Sequence, residues 1–118
     1  MLPKRLHISQ SASDKLRILK GRTGLTPNIV CRIAFVLSLN EGPKGGRRKV
    51  DQSGSEFNSA TLFGEHTTMF ESLFKQVHGV IDSKLVAQMI ASHIDDGLAR
   101  LTKAKSLSEL VIYASPVL

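Results

Sequence analysis

From Pro27 to Leu39 the chain carries Ile29, Val30, Cys31, Ile33, Ala34, Phe35, Val36, Leu37 and Leu39, interrupted mainly by Asn28, Arg32 and Ser38. At about 3.6 residues per turn these positions cover nearly the whole circumference of a helix, and a helix apolar all round has to be buried on every side. No other segment constrains the fold as tightly. In a chain of only 118 residues, contact with a second subunit is the economical way to bury it.

The residues ahead of this helix set its surroundings. Leu6 and Ile8 alternate with Arg5, His7 and Ser9, which reads as a short, half-buried strand. A first helix is expected from Ser11, with Asp14 three residues on closing a capping box, to near Gly21. In the turn Gly21-Arg22-Thr23-Gly24-Leu25-Thr26-Pro27-Asn28, Gly24 supplies a positive-φ residue, Thr26 an N-cap oxygen and Pro27 a first helical residue. Strand, helix, turn and helix in this order form the ribbon-helix-helix plan, in which two chains share a two-stranded ribbon and the start of each second helix faces a DNA phosphate. The strand has no identifiable partner within the chain. Pairing with the same strand of a second subunit is therefore expected, giving a dimer or a dimer of dimers.

Glu41 to Ser55 contains Gly42, Pro43, Gly45, Gly46 and Gly54 beside Lys44, Arg47, Arg48 and Lys49; without periodicity, it reads as a mobile basic loop over 41–55. Phe57, Leu62 and Phe63 bring the chain back to the folded body. Met69, Phe70, Leu73, Phe74 and Val77 share one face of a third helix that Gly79 ends. Asp82 or Ser83 caps a fourth helix built on Val86, Ile90, Ile94 and Leu101. Ser106 with Glu109 starts a last short one. The fold class read from these patterns is mainly α: a ribbon-helix-helix-like N-terminal unit followed by additional C-terminal helices, all in one domain over 1–118.

Charge is unevenly spread. Residues 1–50 hold eleven Lys/Arg against Asp14 and Glu41, a balance of +9, whereas residues 51–118 hold five against eight acids, a balance of −3. A basic front half attracts polyanions, and nucleic acid is the commonest for a small protein. Lys15, Arg17, Lys20, Arg22 and Arg32 crowd around the Gly21–Asn28 turn, whose free amides at a helix start suit a phosphate oxygen. The DNA-contacting candidates are Arg5, Lys15, Arg17, Lys20, Gly21, Arg22, Thr23, Gly24 and Asn28, with Arg47, Arg48 and Lys49 from the loop. Arg5 and His7 reach bases if the ribbon enters a major groove. The longest apolar run, Ile33 to Leu37, is far short of the ~18–20 residues that span a bilayer, no secretory signal is read at the start, and a single cysteine permits no internal disulfide; a cytoplasmic protein with no membrane contact is expected.

Catalytic constellations are absent from the pattern. His7, His66, His78 and His93 stand far apart, without the paired Cys/His spacing of a structural zinc site. Asp95 and Asp96 are adjacent and on a helix point about 100° apart, as at a solvated helix end. Cys31 sits among apolar residues, where thiols are inert. Gly42-Pro43-Lys44-Gly45-Gly46-Arg47 lacks the Gly-Lys-Ser/Thr ending of a phosphate loop. No metal, no cofactor and no enzymatic activity are expected.

The segment Leu19-Lys20-Gly21-Arg22-Thr23-Gly24-Leu25-Thr26-Pro27-Asn28-Ile29-Val30-Cys31-Arg32-Ile33-Ala34, with Glu56-Phe57-Asn58 and Thr61-Leu62-Phe63-Gly64-Glu65, resembles the DndE family of the bacterial DNA phosphorothioation, or DNA sulfur modification, system. The similarity covers essentially the whole chain, with a departure at Ser59-Ala60. It implies a small double-stranded DNA-binding subunit of the machinery that replaces a non-bridging phosphate oxygen by sulfur, working with a cysteine desulfurase and larger sulfur-transfer and ATPase-like proteins. It also implies a ribbon-helix-helix-like assembly of several identical subunits, with DNA near the Gly21–Gly24 turn; the leading expectation is a non-catalytic subunit, dimer or tetramer, that positions DNA at a nick or distorted backbone. One buried cysteine without a Cys-X-X-Cys cannot mobilise sulfur or hold a cluster alone, so the chemistry is expected in partner proteins. The competing expectation is a ribbon-helix-helix repressor reading an operator through Arg5, His7 and Ser9.

Overall fold

The computed structural model describes residues 2–117 and is mainly α-helical, with one two-stranded sheet. The order is β1 (Arg5–His7), α1 (Gln10–Thr23), α2 (Pro27–Asn40), a 3-10 turn (Pro43–Gly46), β2 (Glu56–Asn58), α3 (Ser59–Phe63), a second 3-10 turn (Gly64–His66), α4 (Thr67–His78), α5 (Ser83–Leu101) and α6 (Leu107–Ala114). Side-chain chemistry sets most helix ends. Gly24 closes α1 at φ 77°, its N–H donating to Lys20 O at 2.8 Å, and Pro27 opens α2. Gly79 ends α4, Asp82 accepts from the Lys84 N–H to start α5, and Ser106 accepts from the Glu109 N–H to start α6. The start of α1 differs from the expected Ser11–Asp14 box. Ser9 is the N-cap, extended at φ −69° and accepting from the Ala12 N–H at 2.9 Å, while the Asp14 carboxylate takes the Gln10 amide and Arg17 side chains instead.

The strand finds its partner within the chain, which corrects the expectation of a ribbon shared between subunits. β1 pairs antiparallel with β2 in the register Arg5↔Asn58, Leu6↔Phe57, His7↔Glu56. The ladder continues outward: the Ser59 N–H donates to Lys4 O at 2.8 Å, the Ile8 N–H to Ser55 O at 3.1 Å and the Gly54 N–H to Ile8 O at 2.9 Å. Ser59 also donates its hydroxyl to Pro3 O, so the serine at the family departure stitches the chain start to α3. The pairing turns Leu6 and Ile8 inward, 2% and 0% exposed. Leu6→Ala should therefore cost about 2–5 kcal/mol, read as a lower urea midpoint. Light scattering coupled to size exclusion should give the same subunit number as the parent chain.

The all-round apolar helix α2 is likewise covered by its own chain. It touches α1, α3, α4, α5 and α6, and its Phe35 is the hub of an aromatic cluster with Phe63 at 5.5 Å, Phe70 at 6.1 Å, Phe74 at 6.5 Å and His93 at 6.0 Å between ring centroids. α5 approaches most closely at Gly97, where an added Cβ would stand 2.0 Å from Ala34 O. Most of this helix is buried within one chain, Ile29 alone among its apolar residues staying exposed, at 41%.

The segment 41–55, expected as a mobile loop, is fastened at both ends. The Ser92 hydroxyl donates to Gly45 O at 2.5 Å and accepts from the Arg48 N–H at 3.2 Å. Farther on, the Asp51 carboxylate accepts from the Gln10 N–H at 2.9 Å, and Ser55 and Ser13 exchange hydrogen bonds. Between these ties Arg47, Arg48 and Lys49 are exposed. No helix among the described residues is long and apolar enough to cross a membrane.

Candidate nucleic-acid interface

The turn between α1 and α2 carries the greatest concentration of candidates. Arg17, Lys20, Gly21 and Gly24 fall at spacings of three, four and seven, which lays them along one stripe of α1 and its cap; all four are exposed. The Arg17 guanidinium is paired with the Asp14 carboxylate at the surface, an attachment of the kind worth ~0–1 kcal/mol and readily exchanged for a phosphate. Lys15 is half-buried on the same helix. Thr23 is used locally: its hydroxyl donates to Leu19 O at 2.7 Å and accepts from the Leu25 N–H at 3.2 Å. Asn28 stands half-buried in the first turn of α2.

The N-terminus of α2 is open to an anion. Thr26 occupies the N-cap position, as read from the sequence, yet its hydroxyl makes no capping bond, and the first turn of α2 contains no acid. Pro27 has no N–H, so the amides of Asn28 and Ile29 are left as the outward donors at the positive end of the helix dipole.

Arg22 is held differently from its neighbours. Its Nη1 donates to Thr102 O at 3.1 Å and to Ala104 O at 3.3 Å, carbonyls at and just beyond the C-cap of α5. That bond pins the turn to the far end of the chain and brings Lys103, which lies between the two carbonyls, and Lys105 beside it, both exposed. These lysines belong to the acidic half of the sequence, and no local pattern announced them. Arg32 is spent inside the fold, donating through Nη2 to Thr61 O at 3.2 Å and through Nε to Leu62 O.

The strand candidates sit apart from this cluster, facing a carboxylate. Glu56, opposite on β2, pairs with Arg5 at 3.6 Å and with His7 at 3.0 Å. Ser9, the third residue of the repressor reading, is 2% exposed and committed to capping α1 and to donating to Asp95 Oδ1 at 2.6 Å. The ribbon therefore does not present the triplet Arg5, His7 and Ser9 to an operator.

The groups weighed for chemistry are structural. Cys31 is buried, and burial pushes its thiol up to about 12, which leaves it protonated and inert. Asp95 and Asp96 do not lie at a solvated helix end; they are half-buried within α5. They point apart, as adjacent helical residues must, Asp95 to Ser9 and Asp96 to the Ser38 hydroxyl at 2.7 Å and Arg100 at 3.4 Å. Two histidines that are distant in sequence do meet: His78 Nε2 lies 2.7 Å from His93 Nε2, and His93 Nδ1 lies 2.8 Å from Ser38 Oγ. Proton counting fixes the chain, because the Ser38 proton goes to the Asp96 carboxylate. His93 must then donate from Nδ1 to Ser38 and accept at Nε2 from His78. This relay faces Gly46 of the 3-10 turn, where an added Cβ would stand 2.4 Å from His93 Nε2. It locks the loop to α5, and no group of three or more His, Cys, Asp or Glu able to hold a metal occurs among the described residues.

Comparison with known proteins agrees with this architecture. The profile of the family described as DndE, DNA sulphur modification protein DndE, matches residues 5–109. The crystal structure of DndE from Escherichia coli B7A, involved in DNA phosphorothioation modification, superposes with a TM-score of 0.75 at 33% identity, covering 86% of this chain and 100% of that one. The crystal structure of a DndE mutant involved in DNA phosphorothioation gives a TM-score of 0.71 at 30% identity, covering 84% of this chain and 97% of that one. No curated protein sequence matches the chain. With the profile spanning nearly all of its elements and the structural match running through both halves, the chain belongs to the DndE family of DNA sulfur modification proteins.

Proposed function

We propose that the chain is a non-catalytic, double-stranded DNA-binding subunit of the DNA phosphorothioation machinery. It grips the phosphate backbone with little sequence specificity and favours nicked or distorted duplex, while partner proteins of the system supply the sulfur chemistry. The observation that carries this reading is the basic turn ahead of the uncapped start of α2, where exposed Lys20 precedes Gly21 and Arg22 ties the turn to Thr102 and Ala104, the neighbours in the chain of exposed Lys103 and Lys105. Phosphate oxygens are the ligand that suits open amides and several cations together, and phosphate contacts position a protein without reading sequence. Arg17 extends the Lys20 face along α1, Lys15 lies on the Arg22 face seven residues before it, and Gly21 and Gly24 keep the approach free of side chains. Arg5, held by Glu56 in the free chain, is a peripheral contact. Work on DNA supports a cytoplasmic location. Leu107 and Val111, four apart on α6, with Ile112 beside them, are 46%, 47% and 66% exposed and support self-association into a homo-oligomer, a dimer or dimer of dimers.

The test is binding to intact, nicked and sequence-shuffled duplexes at two salt concentrations. Replacing Lys20, Lys103 or Lys105 by Ala should weaken all duplexes alike and flatten the dependence of log affinity on log salt by roughly one unit per lost phosphate contact. Arg22→Ala should do more than remove one charge, because it also releases the turn from α5. A preference of ~10³-fold or more for one sequence would mark a repressor instead, and unchanged affinity and slope in all four variants would remove this corner from the interface.

A further inference from the structure

The arginines of the fastened loop have a different setting from the corner at the turn. Ile81, just before α5, and Leu85, Gln88 and Met89 on it line an open groove of about 300 Å³ together with Gly46, Arg47 and Arg48 of the loop. Leu85 is 49% exposed, and Val80, next to Ile81 in the chain, is 98% exposed. Contiguous exposed apolar side chains rimmed by charge mark a protein contact more than a solvated helix. Neither arginine has an ion-pair partner among the described residues. Their backbone is nonetheless pre-positioned, by the Arg48 N–H bond to Ser92 and by the packing of Gly46 on His93, so little ordering cost attends their use. A duplex would reward the two cations but gain nothing from Leu85 and Met89. At about 1.5 Å per residue, roughly 25 Å of helix also separates Leu85 from Thr102 at the corner.

We infer that this groove is the docking site for an acidic amphipathic helix of another protein. Apolar side chains at three- and four-residue spacing on that helix meet Ile81, Leu85 and Met89, and its flanking carboxylates pair with Arg47 and Arg48, arginine being suited to bidentate carboxylate contacts. The inference rests on membership in a DNA modification system and is independent of the DNA-binding reading.

The experiment puts the photo-crosslinking residue p-benzoylphenylalanine at position 85 of the full chain, in cells that also express the other proteins of a DNA sulfur modification system, and sequences the crosslinked peptide by mass spectrometry. The expected product joins position 85 to a segment rich in Asp/Glu and in Leu or Ile on one of those proteins, and its yield falls at least roughly tenfold when Arg47→Glu and Arg48→Glu are combined. In parallel, Leu85→Asp should lower the phosphorothioate content of cellular DNA roughly tenfold while the purified variant keeps its duplex affinity within about twofold. A crosslink to DNA, to a second copy of this chain or to a non-acidic segment overturns the assignment, as does the absence of a crosslink or unchanged modification in Leu85→Asp. Because duplex affinity is measured on the same variant, failure of docking and failure of DNA binding are read separately.

Discussion

Gly97→Ala should destabilise the chain by about 3 kcal/mol or more, the upper end of what one extra methyl costs in a packed interior. The new Cβ would stand 2.0 Å from Ala34 O, 2.5 Å from its carbonyl carbon and 2.6 Å from its Cα. These are backbone atoms of α2, so no side chain can swing aside and the two helices must move apart. At the scale of this domain that loss lowers the thermal midpoint by roughly 10–20 °C, measurable by circular dichroism. Gly21→Ala is the matched control. Gly21 also lies within a helix, but nothing stands within 4 Å of an added Cβ, so the methyl should raise stability by about 0.5–1 kcal/mol through helix propensity alone. Identical substitutions are thus expected to have opposite signs, and equal midpoints for Gly97→Ala and the parent chain would contradict the α2–α5 contact. A loss of duplex affinity in the stabilised Gly21→Ala protein would in turn place DNA against that face of α1.

Acidification should destabilise the protein through His93. Burial, helped by the neighbouring His78 and opposed by Asp96, pushes the His93 pKa down from 6.5 to about 4. His78 is itself lowered, by burial and then by Arg47. Between pH 6.5 and about 4 the unfolded chain binds a proton that the folded chain refuses. The stabilisation is therefore fully present above pH 6.5 and lost as pH falls through that window, to an extent of about 3 kcal/mol for His93 at one pKa unit per ~1.4 kcal/mol. The groups facing His93 are Ser38 and Phe35 of α2, Gly46 of the loop and His78 of α4, with Asp96 on its own helix. Protonation would set an N–H of His93 against the N–H of His78. Urea midpoints at pH 7.5, 6, 5 and 4.5 should fall accordingly, and His93→Gln should reduce the slope while lowering stability at pH 7.5. A parent chain whose midpoint stayed flat down to pH 4.5 would contradict the relay.

Local chemistry made the helix boundaries readable. Gly24, Pro27, Gly79, Asp82 and Ser106 act within a turn of where they stand, so their effect is written in a few adjacent residues. The start of α1 slipped because Ser9 and Ser11 are equally good caps by composition, and what selects Ser9 is burial beside Asp95 on a helix far along the chain. Hydrophobic pattern announced that α2 would be surrounded, since burial is a property of the helix itself. It did not identify the covering surface, because that depends on which distant segment fits. The same distance hid the partner of β1, a strand of three residues with too little pattern to read. It hid the His78–His93 contact as well, which exists only once α4 and α5 fold back on each other. At the proposed DNA corner, Lys20 and Arg22 were legible as a charge cluster, whereas Lys103 and Lys105 join it solely through the carbonyls that Arg22 holds.

The close fit of α5 on α2 also bears on how the chain is made. At about 5–20 residues per second, roughly 3–12 s pass between synthesis of the end of α2 and synthesis of the end of α5. During that interval the most apolar helix of the protein has left the site of synthesis or is leaving it without its cover, and until Asn58 is made β1 also waits for β2 with its edge unpaired. A nascent chain stalled before Glu56 would expose both surfaces at once, and is the species from which aggregation would begin.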